Sequence, residues 1–218
     1  MKQISTKEAA ALVKDGMTIM IGGFMSVGTP EALMDALVEK GVRDLTVIAN
    51  DTGTSTPLTG IGKLIAAGAV KKVIASHIGL NPMTGQLMNE GKIEVVLVPQ
   101  GTLAEQIRAG GAGLGGFLTQ TGLGTTVADG KELIMVDGKQ YILEKSLKAD
   151  VAFLRGSTVD EQGNAFYKGT TKNFNPLMAT AADVVIMGAE EIVPVGTIPP
   201  ENVMTPAIFI DYLVGGEK

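Results

Sequence analysis

Residues 17–37 read MTIMIGGFMSVGTPEALMDAL, an apolar run that stops at two glycines and is followed by a helical pattern. The run at 17–21 is short, continuous and apolar, which is typical of a strand buried on both faces of a parallel sheet. Beyond the glycines, apolar residues recur at spacings of three and four; Thr29 can cap this helix, Pro30 suits its first position and Gly41 its end. We therefore predict a strand, a glycine-rich loop and a helix in that order.

The alternation of buried strands and helices continues along most of the chain. Apolar runs predict further strands at 45–49, 73–76, 94–98, 151–155 and 184–187 and a closing strand near 207–210. Helical spacing predicts helices at about 63–67, 103–109 and 176–182. Thr102 and Glu105 have the spacing of a capping box for the second of these helices. Such alternation is typical of an α/β fold, here three layers (α/β/α) around a largely parallel sheet.

The pattern changes between about 118 and 148. The runs LIMV (133–136) and QYILE (140–144) flank Asp137-Gly138-Lys139, which predicts a β-hairpin with a type I′ or bulged turn. We therefore expect a small antiparallel lobe that is inserted in the main sheet or packed beside it. Because the sequence shows neither an internal repeat nor a linker, we expect residues 1–218 to form a single domain that includes this lobe.

Composition and charge exclude several classes of function. The net charge is −5, and the lysines and arginines are scattered, so no basic surface for nucleic acid is expected. No apolar run approaches the roughly 20 residues that span a bilayer, and the first residues do not resemble a signal peptide, so we predict a cytoplasmic protein without a membrane partner. With no cysteine and one histidine, we expect no metal site, and oxygen, nitrogen and backbone groups must carry any chemistry.

The glycine-rich loop lies where ligands bind in open α/β sheets, beyond the carboxyl end of a strand. Gly22, Gly23 and Phe24 occupy that place after the first predicted strand. Glycines allow a sharp turn and let a ligand approach main-chain N–H groups, and the following helix has a partly positive N-terminal end. A loop whose glycines only make the turn is an equally good interpretation of these residues alone.

A longer pattern identifies a family. Asp15-Gly16, the apolar residues 19–21, Gly22-Gly23-Phe24, Gly28 and Pro30 have the spacing of a signature of the alpha subunits of class I (3-oxoacid) coenzyme A transferases. The resemblance continues in four further blocks in the same order, DLTVIANDTG (44–53), VPQGTLAEQIRAGGAGLGGF (98–117), TGLGT (121–125) and KNFNPLMATAAD (172–183). Within the class, the chain is most similar to subunits of enzymes that act on acetate, butyrate and acetoacetate.

The resemblance implies an enzyme that moves CoA between an acyl-CoA (acetoacetyl-CoA, butyryl-CoA or acetyl-CoA) and a short-chain carboxylate, with CoA as a substrate and no tightly bound cofactor. Family members use covalent catalysis through a glutamyl-CoA intermediate, whose glutamate lies in a Ser-Glu-Asn-Gly stretch of a beta subunit. This chain has no such stretch; Asn89-Glu90-Gly91 is the nearest and lies in a predicted surface turn. We therefore expect a beta-subunit partner, in an α2β2 assembly, and no activity from this chain alone.

The resemblance also implies which residues form the site. Asn50 matches the family's oxyanion-hole asparagine, and Gln100 matches an active-site residue; each follows a predicted strand. The loop that the family assigns to CoA binding corresponds here to Gly22, Gly23, Phe24, Met25, Ser26, Val27 and Gly28. The nearest cations in sequence are Lys14 and Lys40, too far along the chain to supply positive charge for the CoA diphosphate. We expect the loop to line the pantetheine tunnel or the acyl pocket instead.

Two rival functions remain open from the residues. A sugar-phosphate isomerase or ligand-sensing module would use a related α/β sheet without a partner chain. A nicotinamide oxidoreductase would explain the literal GxGxxG at 111–116, but a predicted helix precedes it, whereas that fingerprint joins a strand to a helix. Asp51 stands near the place of a ribose-binding acid, but the first turn lacks the matching glycines. Ser76-His77 lacks a hydrolase motif, and adjacent strand residues point to opposite faces.

Overall fold

The structure is a computed structural model that describes residues 2–215. The strands in this part of the chain are β1 (Lys2–Gln3), β2 (Thr18–Ile21), β3 (Leu45–Asp51), β4 (Thr54–Ser55), β5 (Leu58–Thr59), β6 (Val70–His77), β7 (Glu94–Leu97), β8 (Gly116–Thr119), β9 (Leu133–Val136), β10 (Lys139–Lys145), β11 (Ala149–Asp160), β12 (Ala165–Phe166), β13 (Ala182–Val193) and β14 (Tyr212–Gly215). The α-helices are α1 (Thr6–Ala11), α2 (Glu31–Lys40), α3 (Ile61–Ala66), α4 (Pro82–Asn89), α5 (Gln100–Gly111) and α6 (Asn175–Met178).

The main sheet is parallel along its whole path, in the order β1-β14-β13-β11-β2-β3-β6-β7, and β12 pairs antiparallel with β11. From β2 the chain adds β3, β6 and β7 towards one edge, whereas β11, β13 and β14 extend the sheet towards the other. The direction of growth therefore reverses between β2 and β11, where open α/β sheets bind ligands beyond the carboxyl ends of their strands. The predicted α/β class with a largely parallel sheet is confirmed.

Each face of the sheet has its own apolar core, covered by helices. Ile19 and Ile21 of β2 lie in the core shared with α1 to α4, whereas Met20 between them lies in the core shared with α5 and α6. In β3, Val47 and Ile48 divide in the same way. Because side chains alternate across a strand and both faces are buried, such strands consist of continuous apolar residues. This arrangement is the predicted three-layer architecture.

The first predicted helix forms, but it begins differently. α2 starts at Glu31 with Pro30 at the N-cap position, and no side chain caps it. The predicted cap from Thr29 is wrong, because the Thr29 hydroxyl donates to the Gly22 carbonyl at 2.9 Å and closes the glycine loop instead. The predicted end is confirmed, since Gly41 follows the helix with a left-handed backbone (φ 73°) that glycine adopts without strain.

The predicted capping box of α5 is also wrong. The helix begins at Gln100, directly after Pro99, so Thr102 lies inside the first turn rather than before it. The Glu105 carboxylate pairs with the Arg108 side chain at 2.9 Å, one turn further along. Because proline fixes its own φ and has no N–H to lose, Pro99 suits the position just before a helix. The helix therefore starts at Gln100, soon after the end of β7.

The predicted closing strand near 207–210 is wrong. Ala207–Phe209 form a single 3-10 turn after Pro206, whose fixed φ favours a turn. Ile208 is 87% exposed and Phe209 is exposed as well, so of this run only Ile210 reaches the core. The closing strand is β14, where Leu213 is buried against the sheet.

Two further differences concern helices. The predicted helix at 176–182 is limited to α6, because Ala182 already pairs with Ala149 in the parallel ladder of β13 and β11. Helices α1 and α4 lie outside the helices that the sequence predicts. The surface turn expected at 89–91 is confirmed: it follows α4 directly, and Gly91 in it is exposed and adopts φ 69°. In residues 2–215, no helix combines the length and apolar character needed to cross a bilayer.

The predicted antiparallel lobe is confirmed. β8, β10 and β9 form a separate three-stranded antiparallel sheet. Asp137 and Gly138 both have positive φ (49° and 75°), as a type I′ hairpin turn requires. Buried Glu144 connects the lobe to the main body, since its carboxylate accepts hydrogen bonds from Gln106 of α5 at 3.0 Å and from Lys131 at 2.6 Å.

Candidate active site

The predicted site residues meet at the carboxyl ends of adjacent strands. The loop 22–28 follows β2, Asn50 lies near the end of β3, and Ser76 lies near the end of β6. Gln100 is the first residue of α5, which follows the neighbouring strand β7. Because these strands are parallel neighbours, their ends meet at one edge of the sheet beside the point where its direction of growth reverses.

The glycines of the loop allow close packing within the chain. A Cβ added at Gly22 would lie 1.8 Å from the Asn175 Oδ1 atom, and one added at Gly28 would lie 2.7 Å from the Thr171 carbonyl oxygen. Gly28 also has a positive φ of 80°, which disfavours any other residue. The segment around α6 therefore occupies the space that the missing side chains leave, and these glycines do not leave it open to a ligand.

Most main-chain N–H groups of the loop already have partners inside the chain. The Gly22 N–H donates to the Phe153 carbonyl (2.9 Å) and the Phe24 N–H to the Val27 carbonyl (3.0 Å). The Gly23 N–H donates to Asn173 Oδ1 (3.0 Å), and the Met25 N–H to Asp51 Oδ2 (2.7 Å). An N–H group that donates to the chain is not available to cradle a phosphate group. The loop is therefore poorly suited to bind a diphosphate through these four groups.

The tip of the loop is a tight turn that exposes apolar side chains. Phe24 and Val27 exchange N–H to carbonyl hydrogen bonds of 3.0 Å each, and Met25 and Ser26 between them have φ of 51° and 65°. The Phe24, Met25 and Val27 side chains are 43%, 50% and 46% exposed. Left-handed backbone at non-glycine residues is strained and occurs often at ligand-binding sites.

Asn50 is buried and connects the loop to the start of α5. Its side chain is 1% exposed; its Nδ2 donates to the Gly23 carbonyl at 2.7 Å, and its Oδ1 accepts from Gln100 Nε2 at 2.5 Å. Gln100 is exposed, and its Oε1 accepts a hydrogen bond from the Ser76 hydroxyl. The Ser76 hydroxyl also lies 2.8 Å from the main-chain carbonyl oxygen of Asn50. The structure thus brings both predicted polar residues together in one hydrogen-bonded chain.

Sequence reasoning missed the roles of Asp51, Ser76 and Asn173. Asp51 was considered only as a ribose ligand, but its carboxylate accepts the Met25 N–H at 2.7 Å. Asn173 accepts from the Gly23 N–H and donates to the Val27 carbonyl at 3.1 Å, so it holds the loop from the opposite side. The block KNFN at 172–175 carried a family resemblance, but nothing in the sequence shows that it packs on a loop some 150 residues earlier.

Two shallow depressions flank Phe24. The smaller, of about 280 Å³, is lined by Phe24, Asn50, Gln100, Asn173 and Phe174. The larger, of about 490 Å³, is lined by Phe24, Met25, Ser76, His77, Leu80 and Gln100. Within residues 2–215, no glutamate, lysine or arginine lines either depression. The described site therefore offers amides, a hydroxyl, the His77 imidazole and apolar surface, but no carboxylate that faces the cleft as a nucleophile.

Comparison with known families agrees with this geometry. The family model described as coenzyme A transferase matches residues 3–216, nearly the whole chain. The chain belongs to the coenzyme A transferase family. The family resemblance noted in the sequence is therefore confirmed.

Two relatives of this coenzyme A transferase match over almost their full length. The acetate CoA-transferase subunit alpha of Escherichia coli is 53% identical over 217 residues, which cover 100% of this chain and 98% of that protein. The acetoacetyl-CoA:acetate/butyrate CoA transferase alpha subunit of Clostridium acetobutylicum is 55% identical over 213 residues, with 98% and 97% of the two chains covered. The sugar-phosphate isomerase or ligand-sensing alternative finds no support here.

Solved structures share the fold of this coenzyme A transferase. An Escherichia coli acyl-CoA transferase in a thioester complex with CoA has a TM-score of 0.90 and 26% identity, over 98% of this chain and 47% of that chain. This chain thus spans about half of that one. Glutaconate coenzyme A-transferase of Acidaminococcus fermentans has a TM-score of 0.83 at 21% identity, over 98% of this chain and 75% of that one, which shows the fold alone.

The GxGxxG pattern at 111–116 has a structural explanation in this coenzyme A transferase. Gly111 ends α5 and Gly116 begins β8, so the segment joins a helix to a strand, the reverse of the dinucleotide fingerprint. A Cβ at Gly111 would lie 2.0 Å from the Thr180 hydroxyl oxygen. Gly111 therefore allows the end of α5 to pack closely on the segment at Thr180, and the helix that precedes the pattern is the one that the sequence predicts.

Proposed function

We propose that this chain is the alpha subunit of a heteromeric CoA-transferase that moves CoA between short-chain acyl-CoAs (acetoacetyl-CoA, butyryl-CoA or acetyl-CoA) and short-chain carboxylates. The observation that carries the proposal is the identity of 53% and 55%, over nearly the full length, to two proteins named as alpha subunits of such enzymes. The chain acts as one domain together with its lobe. A beta subunit, in a cytoplasmic heterotetramer, supplies the rest of the site.

The reaction requires a carboxylate nucleophile, and none of the carboxylates among residues 2–215 lines the cleft. A glutamate of the beta subunit attacks the thioester carbonyl, which gives a mixed anhydride and releases CoA thiolate. The thiolate then attacks the glutamyl carbonyl of the anhydride, which releases the first carboxylate and leaves a glutamyl-CoA thioester. The same two steps in reverse pass CoA to the second carboxylate. No tightly bound cofactor takes part.

Asn50 and Gln100 stabilise the oxyanion that forms in each attack. Each side-chain amide nitrogen carries two hydrogens, and in each residue one recorded bond uses one of them. Both residues line the smaller depression, and a donor placed near a developing oxyanion lowers the barrier by about 3–4 kcal/mol. Burial of Asn50 and its bonds to the loop and to Gln100 keep this geometry rigid.

The loop 22–28 contacts the acyl or pantetheine part of the substrate rather than the diphosphate. Four of its N–H groups donate within the chain, and the side chains that it exposes at its tip are mainly apolar. Such a surface also excludes water from an anhydride that would otherwise hydrolyse. The beta subunit holds the nucleotide end of CoA.

The decisive experiment is a reconstitution. The chain is produced with and without the adjacent reading frame, and consumption of acetoacetyl-CoA is followed with acetate or butyrate as acceptor. We expect activity only in the mixture, and borohydride reduction of the thioester intermediate should label a glutamate of the other subunit. Transfer of CoA by this chain alone, or a label on one of its own glutamates, contradicts the proposal.

A further inference from the structure

One buried carboxylate at the site has no part in the chemistry above. Asp51 is 4% exposed and follows Asn50 at the end of β3. Its two oxygens accept the N–H groups of Met25 and Gly53, each at 2.7 Å. Among the ion pairs of residues 2–215 none involves Asp51, so it holds backbone rather than balancing a cation.

The segment that Asp51 holds is the strained tip of the glycine loop. Met25 and Ser26 both have left-handed backbone, which glycine adopts freely and other residues disfavour. The Ser26 hydroxyl is also held, 2.6 Å from the Thr59 hydroxyl. Turn geometry alone would favour glycine at both positions, so the chain retains two side chains here against the preference of the backbone. Strain of this kind persists only where the surroundings fix it.

The turn presents a side chain to the larger depression. Met25 is 50% exposed and lines it together with Phe24, Leu80 and His77. Gln100 and Ser76 add polar groups to the lining of the same depression. A short acyl group attached to a thioester carbonyl combines the same two requirements, an apolar chain and an oxygen that accepts hydrogen bonds.

We propose that Asp51 is a positioning residue for acyl-group selection: it fixes the turn at 24–27 so that Phe24 and Met25 form the wall against which the acyl chain packs. The proposal rests on the proposed function, because it takes the acyl group as the ligand of the depression. It predicts that loss of the Asp51 contact weakens the binding of longer acyl groups more than that of shorter ones, rather than slowing every reaction equally.

The test compares Asp51→Asn with Asp150→Asn in the complete complex with the beta subunit. Asp150 is a matched control, because its carboxylate also accepts a backbone N–H, that of Thr18 at 2.7 Å, at the opposite end of β2. The kcat/KM for acetate and butyrate is measured with acetoacetyl-CoA as donor. Butyrate has two more methylene groups to bury, so the butyrate-to-acetate ratio should fall by up to about tenfold in Asp51→Asn, through KM, and stay unchanged in Asp150→Asn.

Two further measurements test the proposal, and the second uses a variant that leaves Asp51 in place. Deuterium exchange of the peptide covering 22–28 should rise in Asp51→Asn and not in Asp150→Asn. Ser26→Ala, which removes only the bond to Thr59, should shift the butyrate-to-acetate ratio in the same direction by a smaller factor.

An unchanged ratio in both Asp51→Asn and Ser26→Ala, or an equal loss of kcat/KM for both acids, overturns the proposal. Loop exchange that matches the Asp150→Asn control overturns it as well. If the wild-type complex transfers no CoA, the proposed function fails and acyl selection fails with it, whereas the exchange comparison still decides whether Asp51 holds the turn.

Discussion

Replacement of Asn50 separates catalysis from support of the loop. Asn50→Ala removes the donor to the Gly23 carbonyl and the acceptor for Gln100. Gly23 is buried, and an unsatisfied buried acceptor costs about 1–3 kcal/mol, whereas the exposed Gln100 amide regains water. For a chain of this size, each kcal/mol lowers Tm by about 2–4 °C, so we expect a fall of a few degrees. If Asn50 also acts on the oxyanion, turnover in the complex should fall by about a hundredfold or more.

The matched control is Asn81→Ala. Asn81 is fully buried and its Nδ2 donates to the Thr52 carbonyl at 3.0 Å, but it lines neither depression. Thermal unfolding and steady-state turnover are measured for both variants in complex with the beta subunit. Asn81→Ala should lose comparable stability with turnover near normal. If Asn50→Ala turns over as fast as Asn81→Ala, Asn50 only holds the loop and the oxyanion role is refuted.

Gly22→Ala forces a methyl group against Asn175 and should lower Tm. Its control is Gly85→Ala, in helix α4, where a Cβ meets nothing within 4 Å; this variant should stabilise the fold by about 0.4–1 kcal/mol. Equal Tm values for the two variants would contradict the packing argument. Burial raises the pKa of Tyr167 above its ordinary value. The stability that the neutral Tyr167 contributes is therefore present below about pH 10 and is lost as the pH rises further. Tyr167→Phe should flatten the decline of Tm at alkaline pH, and an unchanged slope contradicts this. Gln100→Ala should slow turnover, and because it leaves the buried Asn50 Oδ1 without its donor, Tm should fall by no more than in Asn50→Ala; normal turnover excludes Gln100 from the site.

The parallel sheet could be predicted because its signals are local. A strand such as β2 is apolar at every position because both of its faces are buried, and glycine marks the loop that follows. The run at 207–210 is equally apolar, yet it forms a turn that exposes Ile208 and Phe209 and buries only Ile210. Whether an apolar run is buried depends on the elements that cover it, and Pro206 was the one local sign that this run would turn.

The positions of Asn50 and Gln100 could be predicted, but their partners could not. Each residue follows an apolar run, so the end of a strand was a sound expectation. The bond between them spans 50 residues, and the bonds from Asn173 to the loop span about 150. Such contacts depend on the order of the strands and on which helix covers which face of the sheet. Local sequence patterns predict neither.

The end of β3 explains why the loop is so firmly fixed. Asn50 and Asp51 are adjacent residues of one strand, so their side chains leave opposite faces of the sheet. Asn50 donates to the Gly23 carbonyl and Asp51 accepts the Met25 N–H, so the strand is bonded to both the base and the tip of the loop. A shift of β3 by one residue would exchange the two faces and break both contacts. β3 pairs with β2 as far as Ile48 and with β6 as far as Asp51, and this register sets the spacing between the amides and the apolar turn at the cleft.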